Sequence, residues 1–179
     1  MLQNSNTWNT AKVFFIYPRK EQYLLEISRE INLAHTSVKK NLDILIKNGI
    51  ITKTKITKQS RIFPVYKADI ESKEFRKYKK LHNHMAITDS GLIEHLEETL
   101  MPKCIILFGS YEKGEDDEES DIDIFIETEE SEVKLDKFEK ILSRKIQLHF
   151  NPNFKNYPIE LKNNIANGTV LNGYLEAFK

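Results

Sequence analysis

A chain of 179 residues, 40% hydrophobic and 30% charged, has room for two modules of under about 100 residues each, with modest cores. Its formal net charge of zero hides a segregation: residues 1–85 carry 17 Lys and Arg against 7 Asp and Glu, a net +10, and residues 86–179 carry 10 against 20, a net −10. No apolar run reaches membrane-spanning length, the opening MLQNSNTWNT lacks a signal-peptide core, and the single Cys104 excludes an internal disulfide, so a cytoplasmic protein without a membrane partner is expected.

In the basic half, Trp8, Ala11, Val13, Phe14 and Phe15 predict a first helix that ends before Pro18. A helical stripe of Tyr23, Leu24, Ile27 and Ile31 follows, then a turn at Asn32 and Leu33, then a second amphipathic helix from His35 to Asn48 closed by Gly49. Val38, Leu42, Leu45 and Ile46 face inward in this helix. Thr36, Ser37, Lys39, Lys40 and Asp43 are left on or near its exposed side. Two strands, Ile50 to Thr57 and Arg61 to Lys67, form a hairpin with Lys53, Lys55, Lys58 and Arg61 near its tip. This order of elements resembles a winged helix-turn-helix domain. The resemblance implies double-stranded DNA as a partner, with the second helix of the motif in the major groove and the basic wing on phosphates. The candidate DNA-binding residues are Thr36, Ser37, Lys39, Lys40, Lys53, Lys55, Lys58 and Arg61. A connecting helix is expected from Asp69 to His84, with acids first and bases later as suits the macrodipole, and with scope for a homodimer contact. His82 and His84 stand two apart, do not face one another on a helix, and receive no ligand role. A further helix, Ser90 to Leu100, leads to Pro102.

The acidic half carries the stretch CIILFGSYEKGEDDEESDIDIFIE. Cys104 to Phe108 reads as a strand covered on both faces that stops at Gly109. From Asp121 to Glu127, strand alternation puts the three isoleucines on one face and Asp121 and Asp123 together on the other. Two carboxylates on one strand face suit a hard divalent cation completed by substrate phosphates. A glycine admits a phosphate close to the backbone, and a serine hydroxyl contacts it. The Gly-Ser pair, ten intervening residues and Asp-x-Asp resemble the minimal nucleotidyltransferases of the DNA polymerase β superfamily, from about Lys103 to Leu175.

That resemblance implies that Gly109, Ser110 and Lys113 bind the triphosphate of a nucleotide, with ATP expected. It also implies that Asp121 and Asp123 hold Mg²⁺ or Mn²⁺ and are the catalytic pair. Three positions depart from the family pattern. Gln147, in the strand Lys145 to Phe150, occupies the place of a third acidic residue, with His149 two residues on along the same face. Lys113 replaces an arginine and loses its bidentate fork. Glu115, Asp116, Asp117, Glu118 and Glu119 are five consecutive acids, read as a solvated hairpin tip. A helix from Val133 to Ser143, a short helix from Ile159 to Ala166 and a strand from Val170 to Leu175 complete a small mixed sheet with helices expected on one side.

The fold class expected is α+β, with a winged helix-turn-helix over 1–68, a connecting helix over 69–87 and a nucleotidyltransferase-like domain over 88–179. Three functions stay open. One is a DNA-linked nucleotidyltransferase acting on a protein or small-molecule hydroxyl. Another is a catalytically impaired transcriptional regulator. The third is an antitoxin-like interaction protein with a toxin-like protein partner.

Overall fold

The computed structural model describes residues 5–58, 60–154 and 157–176, which form two compact units, residues 1–79 and 80–179. The fold is α+β, with eight helices and six strands among the described residues.

In the first unit, α1 (Asn6–Ile16) starts at Ser5, whose hydroxyl accepts the Trp8 N–H at 3.1 Å and caps an otherwise unpaired donor. Its inward face carries Trp8, Ala11, Val13, Phe14 and Phe15, all buried. α2 (Leu24–Glu30) and α3 (His35–Lys47) are joined by a tight turn in which Asn32 takes a left-handed conformation, φ 49°. Asn is one of the few residues that tolerates it. Val38, Leu42 and Leu45 are buried, as the periodicity of α3 requires, and Asn41 is buried beside them. Asn41 is satisfied there by two bonds to α1: Thr7 Oγ1 donates to its Oδ1 at 3.0 Å, and its Nδ2 donates to Thr10 Oγ1 at 3.1 Å. This polar pin fixes α3 on α1 at a defined rotation, because a buried amide left unpaired costs about 1–3 kcal/mol. β1 (Ile51–Lys58) and β2 (Arg61–Ala68) pair antiparallel from Ile51 opposite Ala68 to Lys58 opposite Arg61. Three helices followed by this hairpin make the unit a winged helix-turn-helix.

α4 (Lys73–Ser90) runs unbroken through the stretch where the sequence reading ends one helix at His84 and begins another at Ser90. Nothing between Met85 and Asp89 breaks a helix, and Ile87 is fully buried. The break comes at Gly91, whose φ of 74° separates α4 from α5 (Leu92–Leu100).

The second unit is built on a four-stranded sheet in the order β5-β4-β3-β6. β3 (Cys104–Phe108) lies between β4 (Ile122–Ile126) and β6 (Thr169–Gly173) and is antiparallel to both. β4 and β5 (Ile146–Phe150) are parallel, joined by the crossover helix α7 (Asp136–Leu142). On one face Ile105, Leu107, Ile122, Ile124 and Ile126 pack with Ile87, Leu92, Leu96, Phe138 and Leu142 of α4, α5 and α7. On the other, Cys104, Ile106, Phe108 and Phe125 pack with Phe154 and with Leu161 and Ile165 of α8 (Ile159–Ala166). Helices therefore flank both faces, not one. The apolar residues of alternate parity in β3 demand a second cover, and Leu161 and Ile165, four apart on α8, supply it. Cys104 is wholly buried, and burial, aided by Glu127, pushes its thiol up to about 11, so it is an inert packing residue.

Candidate active site

β3 ends at Phe108, and the chain turns at once into the one-turn helix α6 (Gly109–Lys113), where the sequence reading expects only a small turn. The reversal requires Gly109 in a left-handed conformation, φ 79°. Phe108 stands opposite Asp123 in the β3/β4 register, so Gly109 lands against that carboxylate. A Cβ built on Gly109 collides with Asp123 Oδ2 and comes within 3.2 Å of its Cγ. The missing side chain is thus the space the Asp123 carboxylate faces. Ser110 follows, half-buried, and Lys113 is exposed at the far end of α6.

Asp123 is half-buried on the same sheet face as Phe125, in parallel register with Gln147. Its Oδ1 lies 3.0 Å from His149 Nε2, and the His149 ring packs on Phe108 at 5.1 Å between centroids. Asp121 lies one residue outside β4 and is exposed, at the rim of a cleft of about 520 Å³ lined also by Glu118, Ser120, Asp136, Glu139 and Lys145. Gln147, paired with Asp123 in the parallel register, is exposed. Among the described residues no group of three or more His, Cys, Asp or Glu side chains is arranged to hold a metal ion. Asp123 with the open space at Gly109 suits a cation that takes one carboxylate and finishes its shell with phosphate and water.

The loop between the Gly-Ser pair and the aspartates is not a uniformly solvated acidic tip. Asp116 is 3% exposed: its Oδ1 accepts from Asn83 Nδ2 at 2.7 Å and its Oδ2 pairs with buried Arg144 at 3.5 Å. The same Asn83 amide donates to Tyr111 O at 2.8 Å. Asp117 folds the loop back on itself, its Oδ1 accepting from Glu119 N and Ser120 Oγ, both at 3.0 Å. Two of the five acids thus hold the loop in place. A second buried carboxylate, Glu112 on α6, is held by Lys80 Nζ and by Thr169 Oγ1 at 2.9 Å, with His84 Nε2 4.0 Å away. Burial chiefly, and then Lys80, lowers the His84 pKa against the opposing pull of Glu112. His84 thus joins this cluster. None of Asn83, Glu112 and Arg144 stands out in the sequence. Asn83 had one signal, its place four residues before Ile87 and eight after Phe75 on a buried stripe of α4.

The candidate DNA-facing residues of the first unit lie where the wing and the second helix of the motif present them. Thr36, Lys39, Lys40, Lys53 and Lys55 are exposed and Ser37 is half-buried. Lys53 Nζ sits 5.8 Å from the centroid of the Tyr66 ring across the hairpin. The side chains of Lys58 and Arg61 are outside the described residues.

No curated protein matches the chain. Among solved structures, a possible transcriptional regulator from Methanosarcina mazei is 17% identical over 55% of this chain and 81% of its own, with a TM-score of 0.37. The adhesin competence repressor of Streptococcus pyogenes is 15% identical over 54% and 68%, with a TM-score of 0.41. The family model of the nucleotidyltransferase domain matches residues 90–172, a span that includes Gly109, Ser110, Asp121 and Asp123 and every strand of the sheet they border but the last residue of β6. Residues 90–172 of this chain are thus similar to the nucleotidyltransferase domain, and three helices and a two-stranded hairpin precede them in the chain.

Proposed function

We propose that the protein transfers a nucleoside monophosphate from a triphosphate, with ATP as donor, to a hydroxyl of a protein or small molecule. The observation that carries this is the seating of Gly109 against the Asp123 carboxylate. Asp121 and Asp123 would hold Mg²⁺ or Mn²⁺, and the ion would supply charge neutralisation on the phosphates. Gly109 keeps the approach to Asp123 clear. Ser110 offers its hydroxyl to a phosphate oxygen, and Lys113 offers a point charge nearby. Calorimetric titration of ATP and Mg²⁺ into the protein is expected to give saturable binding that is lost in the variant with Asp121→Asn and Asp123→Asn. Absence of binding in the unaltered protein overturns the reading.

A second reading is favoured by Gln147, which lies next to Asp123 and cannot take a proton. In it the domain binds nucleotide without turnover and serves as a transcriptional regulator or antitoxin, with a toxin-like protein as partner and a homodimer as the DNA-bound form. Nucleotide binding without pyrophosphate release over a panel of acceptors supports it.

Both readings use the basic unit, net +10 over residues 1–85, to bind double-stranded DNA through the α3 surface and the wing. Lys53→Glu with Lys55→Glu is expected to weaken DNA binding at low salt and to flatten the plot of log K against log salt by about two phosphate contacts. An unchanged slope in a fluorescence anisotropy titration removes the wing from the interface.

A further inference from the structure

We propose that Glu112 is a positioning residue for nucleotide binding, a buried carboxylate that fixes the turn carrying Ser110 in place beside Asp123. This rests on the nucleotidyltransferase reading, in which the Ser110 hydroxyl meets a phosphate oxygen.

α6 is a single turn bounded by Gly109 and Gly114, and a helix of that length has no stability of its own in water. Its placement comes from what it touches. Tyr111 and Glu112, the two residues after Ser110, are each 4% exposed. The Tyr111 carbonyl accepts from Asn83 Nδ2 of α4 at 2.8 Å. Glu112 Oε1 accepts from two elements at once, from Lys80 Nζ on α4 and from Thr169 Oγ1 on β6 at 2.9 Å. Thr169 stands opposite Leu107 in the β3/β6 register, two residues before Gly109. Through that bond the strand beside β3 holds the turn into which β3 leads. On the far side of the turn, Glu115 N donates to Ser110 O at 2.9 Å and closes it.

A buried charge is a poor source of stability, because a well-packed apolar side chain of similar volume escapes the cost of desolvation. What the carboxylate adds is direction. One oxygen bonded to donors on two elements sets where the turn lies, and charge-assisted bonds are the strong ones. Position matters at Ser110, since a hydroxyl serves a phosphate oxygen only within hydrogen-bond distance and a displacement of about 1 Å forfeits the contact.

The test is calorimetric titration of ATP with Mg²⁺ into the full chain and into Glu112→Ala, Ser110→Ala and the double variant. Glu112→Ala is expected to weaken binding about tenfold in the parent and to change it little once residue 110 is alanine, because residues that act through one another are not additive. Glu112→Gln keeps an acceptor for Lys80 and Thr169 and is expected to recover most of the affinity. Should Glu112→Ala fail to fold, Thr169→Val removes one of the two donors and enters the same cycle, with a smaller loss expected. Equal losses on both backgrounds overturn the proposal, reduce Glu112 to a structural anchor and leave the nucleotide reading standing. Parental affinity in Glu112→Ala overturns it too. Absence of saturable binding in the unaltered protein overturns both.

Discussion

Replacing Asp116 with alanine is expected to cost the second unit about 3–5 kcal/mol, the usual result of removing one member of a buried ion pair. Asp116 and Arg144 are 3% and 8% exposed, and truncation leaves the guanidinium in a site that water does not reach. It also removes the acceptor for Asn83 Nδ2, leaving that buried amide with Tyr111 O alone. Against a typical domain stability of about 5–15 kcal/mol, such a loss brings the unit close to unfolding. Asp116→Asn keeps an acceptor for Asn83 and is expected to lose less. Glu118→Gln and Glu119→Gln, two residues along, are expected to stay within about 0.5 kcal/mol of the parent. Urea denaturation followed by amide protection in β4 measures this directly. The single tryptophan, Trp8, belongs to the other unit and does not report it. Equal effects for all five acids of the loop would mean that the Asp116 anchor carries no special weight.

Gly109→Ala is expected to abolish measurable binding of ATP with Mg²⁺ while leaving a folded protein. Two costs add at this position. A φ of 79° is strained for any L side chain, by about 1–2 kcal/mol. The new Cβ also drives into Asp123 Oδ2, so either the carboxylate turns away or α6 shifts, and both separate Ser110 from the aspartates. Gly91→Ala separates the two effects. Gly91 has nearly the same φ, 74°, and nothing within 4 Å of its built Cβ, so it bears the backbone strain alone. Its variant is expected to lose about 1–2 kcal/mol and to bind nucleotide as before. If Gly109→Ala binds nucleotide as well as Gly91→Ala does, the contact between Gly109 and Asp123 has no part in the site.

Much of this architecture is written in local patterns. Periodicity in α3, the turn before it and the alternation in β4 depend on neighbours in sequence, and a chain stripped of tertiary context still displays them. The Gly-Ser and Asp-x-Asp elements were legible for the same reason. Each is a short run whose geometry follows from one turn and one strand. Local pattern misjudged the places where a long-range partner decides. Leu161 and Ile165 cover the second sheet face, and nothing in the order of elements says which face a terminal helix will choose. The five acids after Gly114 look alike in sequence, yet Arg144, 28 residues beyond Asp116, draws that one inward. His149 shares a sheet face with Gln147 by simple alternation, and only the parallel register of β5 on β4 brings its Nε2 to the Asp123 carboxylate. Sequence alone determined most of the elements and singled out the candidate site residues, because dihedral preference and apolar periodicity act over a few residues. Tertiary structure alone decided which charges are buried, which are paired and which nitrogen faces the aspartate. Those depend on contacts between residues 26 to 57 positions apart, set by strand register and helix packing.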